Sequence, residues 1–493
     1  MHSGLRPQFI LYLLGIILML SGFAQLFPAV LDYVDGHQNV RGFLLSAMII
    51  FFIGACLFFS NRGESTNNIE TRYDKVSVRE AFFMTTFGLI AISLASAVPY
   101  YYSTMEWSFT DSMFEAVSGM TTTGSSVLHD YSVASRGILL WRSVTQWIGG
   151  IGVLAFAIIF LPFLKVGGMQ IFYSGVASNA NKVYTKIHHV LPILIYVYVF
   201  LTVLCALGYF YAGMGWFDAV NHAFTTISTG GFSTHPAGFA YFNTPGLHMV
   251  AMIFMIAGAI PFVLYLQLIS YKKFVFHKDE QVKIFMTLLF FITVANTLWL
   301  AFRHEYFLPE ALAKSTFTIV SLLTTAGFSS VDYTLWGGLS IGLSFFLMYV
   351  GGCAGSSSGG MKIMRVAIVA KALVNHLKTL TFPSGVFALK FQNKKVNQPL
   401  LVNVMGFLCL YVVCNTVLAV LLALTGQDLL TSISGAAAAM GNIGPGLGAI
   451  IGPMGDYSDL NNSAKWLLMA GMVIGRLEIF AVLVIFSRKF WQK

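Results

Sequence analysis

Apolar positions in this chain show neither the period of an amphipathic helix nor the alternation of a half-buried strand. They run in blocks of about twenty residues with short polar breaks between them. A block of that length crosses a bilayer as one helix. Ten such blocks, centred near residues 18, 50, 90, 150, 200, 257, 290, 348, 411 and 475, predict ten spanning helices. The first, from about Phe9 to Val30, is longer than the apolar core of a signal peptide and has no small-residue cleavage site, so it reads as a retained span. Four linkers contain a further apolar segment of roughly ten residues, too short to cross, ending in a glycine-containing break. Non-helical backbone at membrane depth is tolerated only within protein or beside a water-filled cavity. The pattern therefore predicts spanning helix, re-entrant half-helix, loop, spanning helix.

The four breaks align on Gly124, Gly231, Gly327 and Gly444, in the segments TDSMFEAVSGMTTTGSS, FDAVNHAFTTISTGGFS, AKSTFTIVSLLTTAGFS and LTSISGAAAAMGNIGPG. The preceding pairs are Thr122-Thr123, Thr229-Gly230, Thr325-Ala326 and Asn442-Ile443. Asp111 and Asp218 stand at corresponding places near the starts of the first two half-helices, where a carboxylate suits the positive end of the helix dipole. The following spanning helix carries mid-span glycine in every case: Gly149 and Gly150, Gly258, Gly351 and Gly352, and Gly475. Repetition at about 100 residues predicts an all-α membrane protein of four helix–pore loop–helix units around a pseudo-fourfold axis. The units divide as residues 79–189, 190–280, 281–396 and 397–493, after two extra N-terminal helices in residues 1–78.

Four glycine loops around one axis can turn backbone carbonyls inward and replace the hydration shell of a cation. The partly negative C-terminal ends of the half-helices would face the same place. Oxygen ligands without a carboxylate cage favour a monovalent alkali ion over calcium or magnesium. The candidate filter is Thr122, Thr123 and Gly124; Thr229, Gly230 and Gly231; Thr325, Ala326 and Gly327; and Asn442, Ile443 and Gly444.

Composition agrees with membrane residence: 57% of residues are hydrophobic, 10% are charged, and mean hydropathy is +0.75. Soluble domains average about 25% charged residues. The net charge of +9 could suggest nucleic acid, but its distribution does not. Basic residues fall in alternate linkers: Arg62, Arg72, Lys75 and Arg79; Lys165, Lys182 and Lys186; Lys272, Lys273, Lys278 and Lys283; Lys362 to Lys395; and the C-terminal Arg488, Lys489 and Lys493. The positive-inside rule makes those linkers and both termini cytoplasmic. Five cysteines lack the spacing of a zinc site or disulfide framework and read as buried thiols.

TTTGSS, STGGFST, TTAGFSS and GNIGPG resemble the four degenerate filter loops of the Trk/Ktr/HKT superfamily of potassium transporters, and the resemblance extends over nearly the whole chain. The two extra N-terminal helices are similar to the TrkH branch. The resemblance implies potassium uptake across a bacterial inner membrane. Relatives with serine at the first filter glycine tend toward sodium, so Gly124 favours potassium. GGCAGSSSGGMKIMR, from Gly351 to Arg365, resembles the family's intramembrane gating loop, with Gly351, Gly352, Gly355, Ser356, Ser357, Ser358, Gly359 and Gly360 as gate residues. GRLEIF resembles the segment that places Arg476 in the pore below the filter. The family further implies a homodimer and a cytosolic nucleotide-binding regulatory subunit of the TrkA type. ATP or NAD would act only through that partner, since this chain has no nucleotide motif. The basic linkers offer a docking surface for the partner or for anionic lipid.

The remaining charged residues predict less. Arg142, between Trp141 and Trp147, reads as snorkelling to the outer interface. Glu115 and His222, each nine residues before a filter glycine, read as braces behind the pore. No catalytic constellation stands out, so an enzyme is not expected. The alternative is a sodium- or proton-coupled symporter of another cation or solute.

Overall fold

The computed structural model describes residues 6–62, 77–159, 183–272, 274–303 and 306–492. Arg72, Lys75, Lys165, Lys182, Lys273 and Lys493 lie outside them.

The described chain is almost wholly helical. It begins with α1 (Pro7–Ala24), α2 (Leu26–Val34) and α3 (Asn39–Ser60), with α1 packed along α3. Four units of the same plan follow. The first has outer helix α4 (Val78–Tyr101), short helix α5 (Phe109–Met120) and inner helix α6 (Arg136–Ile159). The second has α7 (Val183–Tyr211), α8 (Trp216–Ile227) and an inner pair, α9 (Pro245–Ala259) and α10 (Phe262–Tyr271). The third has α11 (Glu280–Arg303), α12 (Leu308–Leu323), α13 (Gly338–Val350) and α14 (Ile363–Thr381). A two-residue hairpin, Lys390–Phe391 against Lys394–Lys395, leads to the fourth. That unit has α15 (Gln398–Leu424), α16 (Leu429–Gly441), α17 (Asn462–Arg476) and α18 (Ile479–Leu483), and α19 (Arg488–Trp491) closes the chain.

Local chemistry sets the helix ends. Ser77 and Glu80 form a reciprocal capping box at the start of α4. Ser108 caps α5, and Asp428 caps α16 by accepting from the backbone N–H groups of Leu430 and Thr431.

The units are arranged in a ring. Each outer helix packs on its own short helix, and each inner helix packs on the short helix of the next unit: α6 on α8, α9 on α12, α13 on α16, and α17 back on α5. Mid-span glycines let three of the inner helices lie close to the short helix of their own unit as well. A Cβ on Gly149, Gly258 or Gly475 would press on the carbonyl oxygen of Met120, Ile227 or Met440, in or at the end of a short helix. Buried aromatic and aliphatic side chains fill the space behind, with Phe114, Trp141, Tyr411 and Met472 on one side and Tyr198, Phe239, Phe262 and Phe328 on another.

Two expectations change. Of the ten predicted spans, seven are helices long and apolar enough to cross unbroken, and two more are pairs bent by 89° (α9–α10) and 110° (α17 and the segment after it). The tenth, near residue 348, is α13, whose thirteen residues rise only about 20 Å. It stops at Gly351, where the backbone turns to φ +71°. The cysteines are all free, but only Cys205 and Cys353 are buried; Cys56 and Cys409 are exposed.

Candidate ion pathway

The four glycine loops share one backbone conformation. Thr122, Thr229, Thr325 and Asn442 have φ of 50°, 52°, 58° and 52°; Gly124, Gly231, Gly327 and Gly444, two residues on, have φ of 86°, 83°, 72° and 102°. Positive φ is uncommon outside glycine and a genuine outlier for a β-branched residue. Its recurrence at three threonines marks a geometry imposed by the surroundings.

The loops meet in a closed circle. A Cβ on Gly124 would strike the carbonyl oxygen of Gly230; one on Gly231, that of Ala326; one on Gly327, that of Ile443; and one on Gly444, that of Thr123, at 2.9 Å. Each contact joins a glycine to the residue before the next loop's glycine, and the fourth returns to the first. All twelve candidate filter residues therefore come together, and all but Gly124 and Gly231 are buried. The polar pair differs by loop. Asn442 Nδ2 donates to Thr123 Oγ1 (3.0 Å) and to the Met472 carbonyl (3.0 Å). Thr122 Oγ1 and Asn442 Oδ1 are buried without a hydrogen-bond partner among the described residues.

An open cavity of about 90 Å³ lies over one side of this ring, lined by the four filter glycines and by Ser125, Phe232, Pro445 and Tyr457. Tyr457 donates to the Gly444 carbonyl (2.7 Å), and Ser125 Oγ donates to the same oxygen (3.0 Å).

Segment 351–360 packs against Thr325 of the ring and against the ends of α8 and α16 that lead into it. Ser357 Oγ donates to the carbonyls of Ile227 (2.9 Å) and Gly258 (3.0 Å), and the Gly359 N–H donates to Thr325 Oγ1 (2.7 Å). A Cβ on Gly359 would meet the Gly441 carbonyl. The Phe262 N–H donates to the Gly355 carbonyl (2.9 Å), which ties the segment to the bend between α9 and α10. Ser356 Oγ bonds the Cys353 carbonyl (2.6 Å), while Ser358 Oγ is buried without a partner among the described residues.

Arg476 ends α17 at the 110° bend and is 5% exposed. Its Nε and Nη2 have no hydrogen-bond partner among the described residues. Glu478, two residues on, pairs instead with the buried Arg365 at 2.7 Å, and the Arg365 guanidinium stacks 3.9 Å over the Phe407 ring. Arg365 is thus buried inside the protein, where the charge pattern had placed it in a cytoplasmic linker.

Arg142 corrects another expectation. It does not snorkel: it is 1% exposed and paired with Glu115 at 2.6 Å. Its other nitrogens donate to the Ser233 carbonyl and to Ser126 Oγ, both at 2.9 Å. Glu115 also accepts from Ser126 Oγ and the Val127 N–H, and His222 Nε2 meets Ser233 Oγ at 3.0 Å. Both residues sit behind their loops. Sequence reasoning passed over Gln146, whose Nε2 donates to the Gly230 carbonyl (2.7 Å) while its Oε1 accepts from the Phe232 N–H (3.1 Å). The available signal was a second polar residue one turn after Arg142 on an apolar helix.

A helical multi-pass membrane protein with four like units in a ring is the architecture of an ion transporter. The family described as TrkH, cation transport protein, matches residues 46–493. The Trk system potassium uptake protein TrkI of Halomonas elongata is 39% identical over 417 residues, 84% of each chain. The TrkH protein of the same organism is 33% identical across 99% of both chains, and that of Escherichia coli is 32% identical across 98% of both. The crystal structure of the potassium transporter TrkH from Vibrio parahaemolyticus superposes with a TM-score of 0.89 at 30% identity, covering 99% of this chain and all of the other. The chain belongs to the TrkH family of cation transport proteins: it is a transporter and not an enzyme.

Proposed function

We propose that the chain takes up potassium through one pore on the axis of the four units, with the four glycine loops as its selectivity filter. One observation carries this reading: four chain segments, one from each unit, adopt the same strained backbone and close a ring of glycine-to-carbonyl contacts. Backbone carbonyls and polar side chains so held can take the place of water around an alkali ion. The names of the relatives, all potassium uptake proteins of the Trk system, support potassium as the ion.

Residues 351–360 form the gate, and Arg476 sets a barrier there. The segment is held to the filter loops by side-chain and backbone bonds that can be exchanged. Arg476 presents unpaired donors in a buried place, and a fixed positive charge opposes a passing cation. Ring packing of the four units supports the division at residues 79–189, 190–280, 281–396 and 397–493. The basic linkers support a bacterial inner-membrane setting with cytoplasmic termini. They also support docking of a cytosolic nucleotide-binding subunit of the TrkA type on a homodimer. A groove beside Lys371, Lys378 and Lys390 is a candidate surface.

The test is cation flux into proteoliposomes holding the purified chain, under potassium or sodium gradients. Potassium flux is expected to exceed sodium flux, and Gly231→Ser to erode the difference, because the new Cβ collides with the Ala326 carbonyl. Equal flux of both ions in the unaltered protein would overturn the potassium assignment. Strict dependence of flux on a sodium or proton gradient would favour the symporter alternative.

A further inference from the structure

We propose that Arg142 and Gln146, on one face of α6, form a positioning clamp that fixes loops one and two against each other and thereby sets the potassium-over-sodium preference. The inference rests on reading the four loops as the filter.

The two residues are one helical turn apart, so their side chains leave the same face. Gln146 holds loop two on both sides of Gly231, donating to the Gly230 carbonyl and accepting from the Phe232 N–H. The Gly230 carbonyl is the oxygen that abuts Gly124 of loop one. Gln146 therefore holds the oxygen at the junction of the two loops. Arg142 spans the same junction one layer out. It binds Glu115 and Ser126 of unit one and the Ser233 carbonyl of unit two, and lies 4.3 Å over the Phe232 ring. Every polar atom in this cluster that Arg142 or Gln146 reaches is buried or half-buried, so the bonds compete with little water.

The device occurs at one junction of four. Aligned on Gly149, Gly258, Gly351 and Gly475, the positions of Arg142 and Gln146 are Ala251 and Met255 in unit two, Ser344 and Met348 in unit three, and Leu468 and Met472 in unit four. The junction of loops four and one is joined directly instead, by Ser125 to the Gly444 carbonyl and Asn442 to Thr123. Discrimination by ion size in a pore of four unlike loops requires that the width across each junction be held. At this junction the clamp supplies that stiffness.

The experiment compares Gln146→Met, Gln146→Glu, Arg142→Gln and the charge-neutral pair Arg142→Gln with Glu115→Gln, alongside Gly231→Ser. Potassium and sodium flux, and the potassium concentration giving half-maximal flux, are measured in proteoliposomes; thermal melting is followed in parallel. Gln146→Met keeps the volume and removes both bonds. It should lower the potassium-to-sodium flux ratio about fivefold, the effect of about one net hydrogen bond, with a modest drop in melting because the buried Gly230 carbonyl and Phe232 N–H lose this partner. Arg142→Gln alone leaves Glu115 buried and unpaired and can fail to fold; the double variant avoids that and should show the same loss of preference. An unchanged ratio in Gln146→Met and in the double variant, with Gly231→Ser altering it, overturns the clamp and leaves the filter standing. An unchanged ratio in Gly231→Ser as well overturns the filter reading itself.

Discussion

Arg142 in α6 and Arg476 at the end of α17 are both buried in apolar inner helices, and the protein treats them in opposite ways. Arg142 has a carboxylate at 2.6 Å, a backbone carbonyl, a hydroxyl and an aromatic face. Arg476 leaves two nitrogens without a hydrogen bond among the described residues, and the nearest carboxylate in sequence, Glu478, is committed to Arg365. A buried charge is costly unless it is paired and hydrogen-bonded. Arg142 meets that condition, so its charge holds the structure together. Arg476 does not, so its persistence calls for a role that needs an available positive charge. Burial of an arginine in a membrane helix therefore does not say what it does; the state of its donors separates a charge that positions its neighbours from one left available.

The comparison is tested most severely at Arg142. Arg142→Ala strands Glu115 as an unpaired buried carboxylate, and breaking a buried pair from one side costs about 3–5 kcal/mol. The variant is expected to melt far earlier or to be recovered in low yield. Adding Glu115→Gln should restore much of the loss. Melting equal to that of the unaltered protein would show that the pair contributes nothing.

Arg476→Ala should do the reverse. Removing a charge with unmet donors costs little stability, whereas lowering a cation barrier by about 1.4 kcal/mol raises flux about tenfold. Potassium flux in proteoliposomes should rise while melting changes little. A large drop in melting with no gain in flux would make Arg476 a second brace and erase the contrast.

The same contrast marks what the sequence could and could not reveal. Block length and the fourfold glycine alignment were legible because each reports on backbone: a span needs a length, and a tight junction needs an absent side chain. That is why Gly124, Gly231, Gly327 and Gly444 were placed in one register, and their φ values agree with it. Pairing was not legible. Glu115 precedes Arg142 by a whole loop and helix turn, so nothing in the local pattern joins them, and flanking tryptophans suggested an interface instead. The third inner span was counted among the ten by its apolar run, yet the glycine and serine content of residues 351–360 already marked it as interrupted, because those residues cannot sustain a continuous helix. Arg365 was assigned to a solvent-facing linker by charge alone; its partner Glu478 lies in another unit.

A smaller and exposed pair sharpens the argument from the other side. His129, after loop one, meets Asp456, after loop four, at 2.7 Å, with His129 largely exposed. Next to Asp456, the Tyr457 N–H donates to the Ser126 carbonyl (2.8 Å), so the pair lies where the two loops are joined. The hydrogen bond to Asp456 raises the His129 pKa, and the charges of Asp456, Asp459 and Asp130 add to it. Burial alone would raise Asp456, but bonds from Ser458 and His129 bring it below its ordinary value. A raised histidine contributes stability that is full below its ordinary value near pH 6.5 and is lost as pH rises through the raised one. The lowered aspartate contributes above its ordinary value and loses that as pH falls through the depressed one. The pair therefore acts between those two limits. The melting difference between the unaltered protein and His129→Asn should be greatest in mildly acid buffer and shrink as pH rises past the raised histidine value. High salt should shrink it too, because exposed charges are screened. Its size should stay well below the loss at Arg142, since water already solvates His129 and leaves the pair little to add. A difference that grows with rising pH would mean that the neutral imidazole, and not the ion pair, holds the loops together.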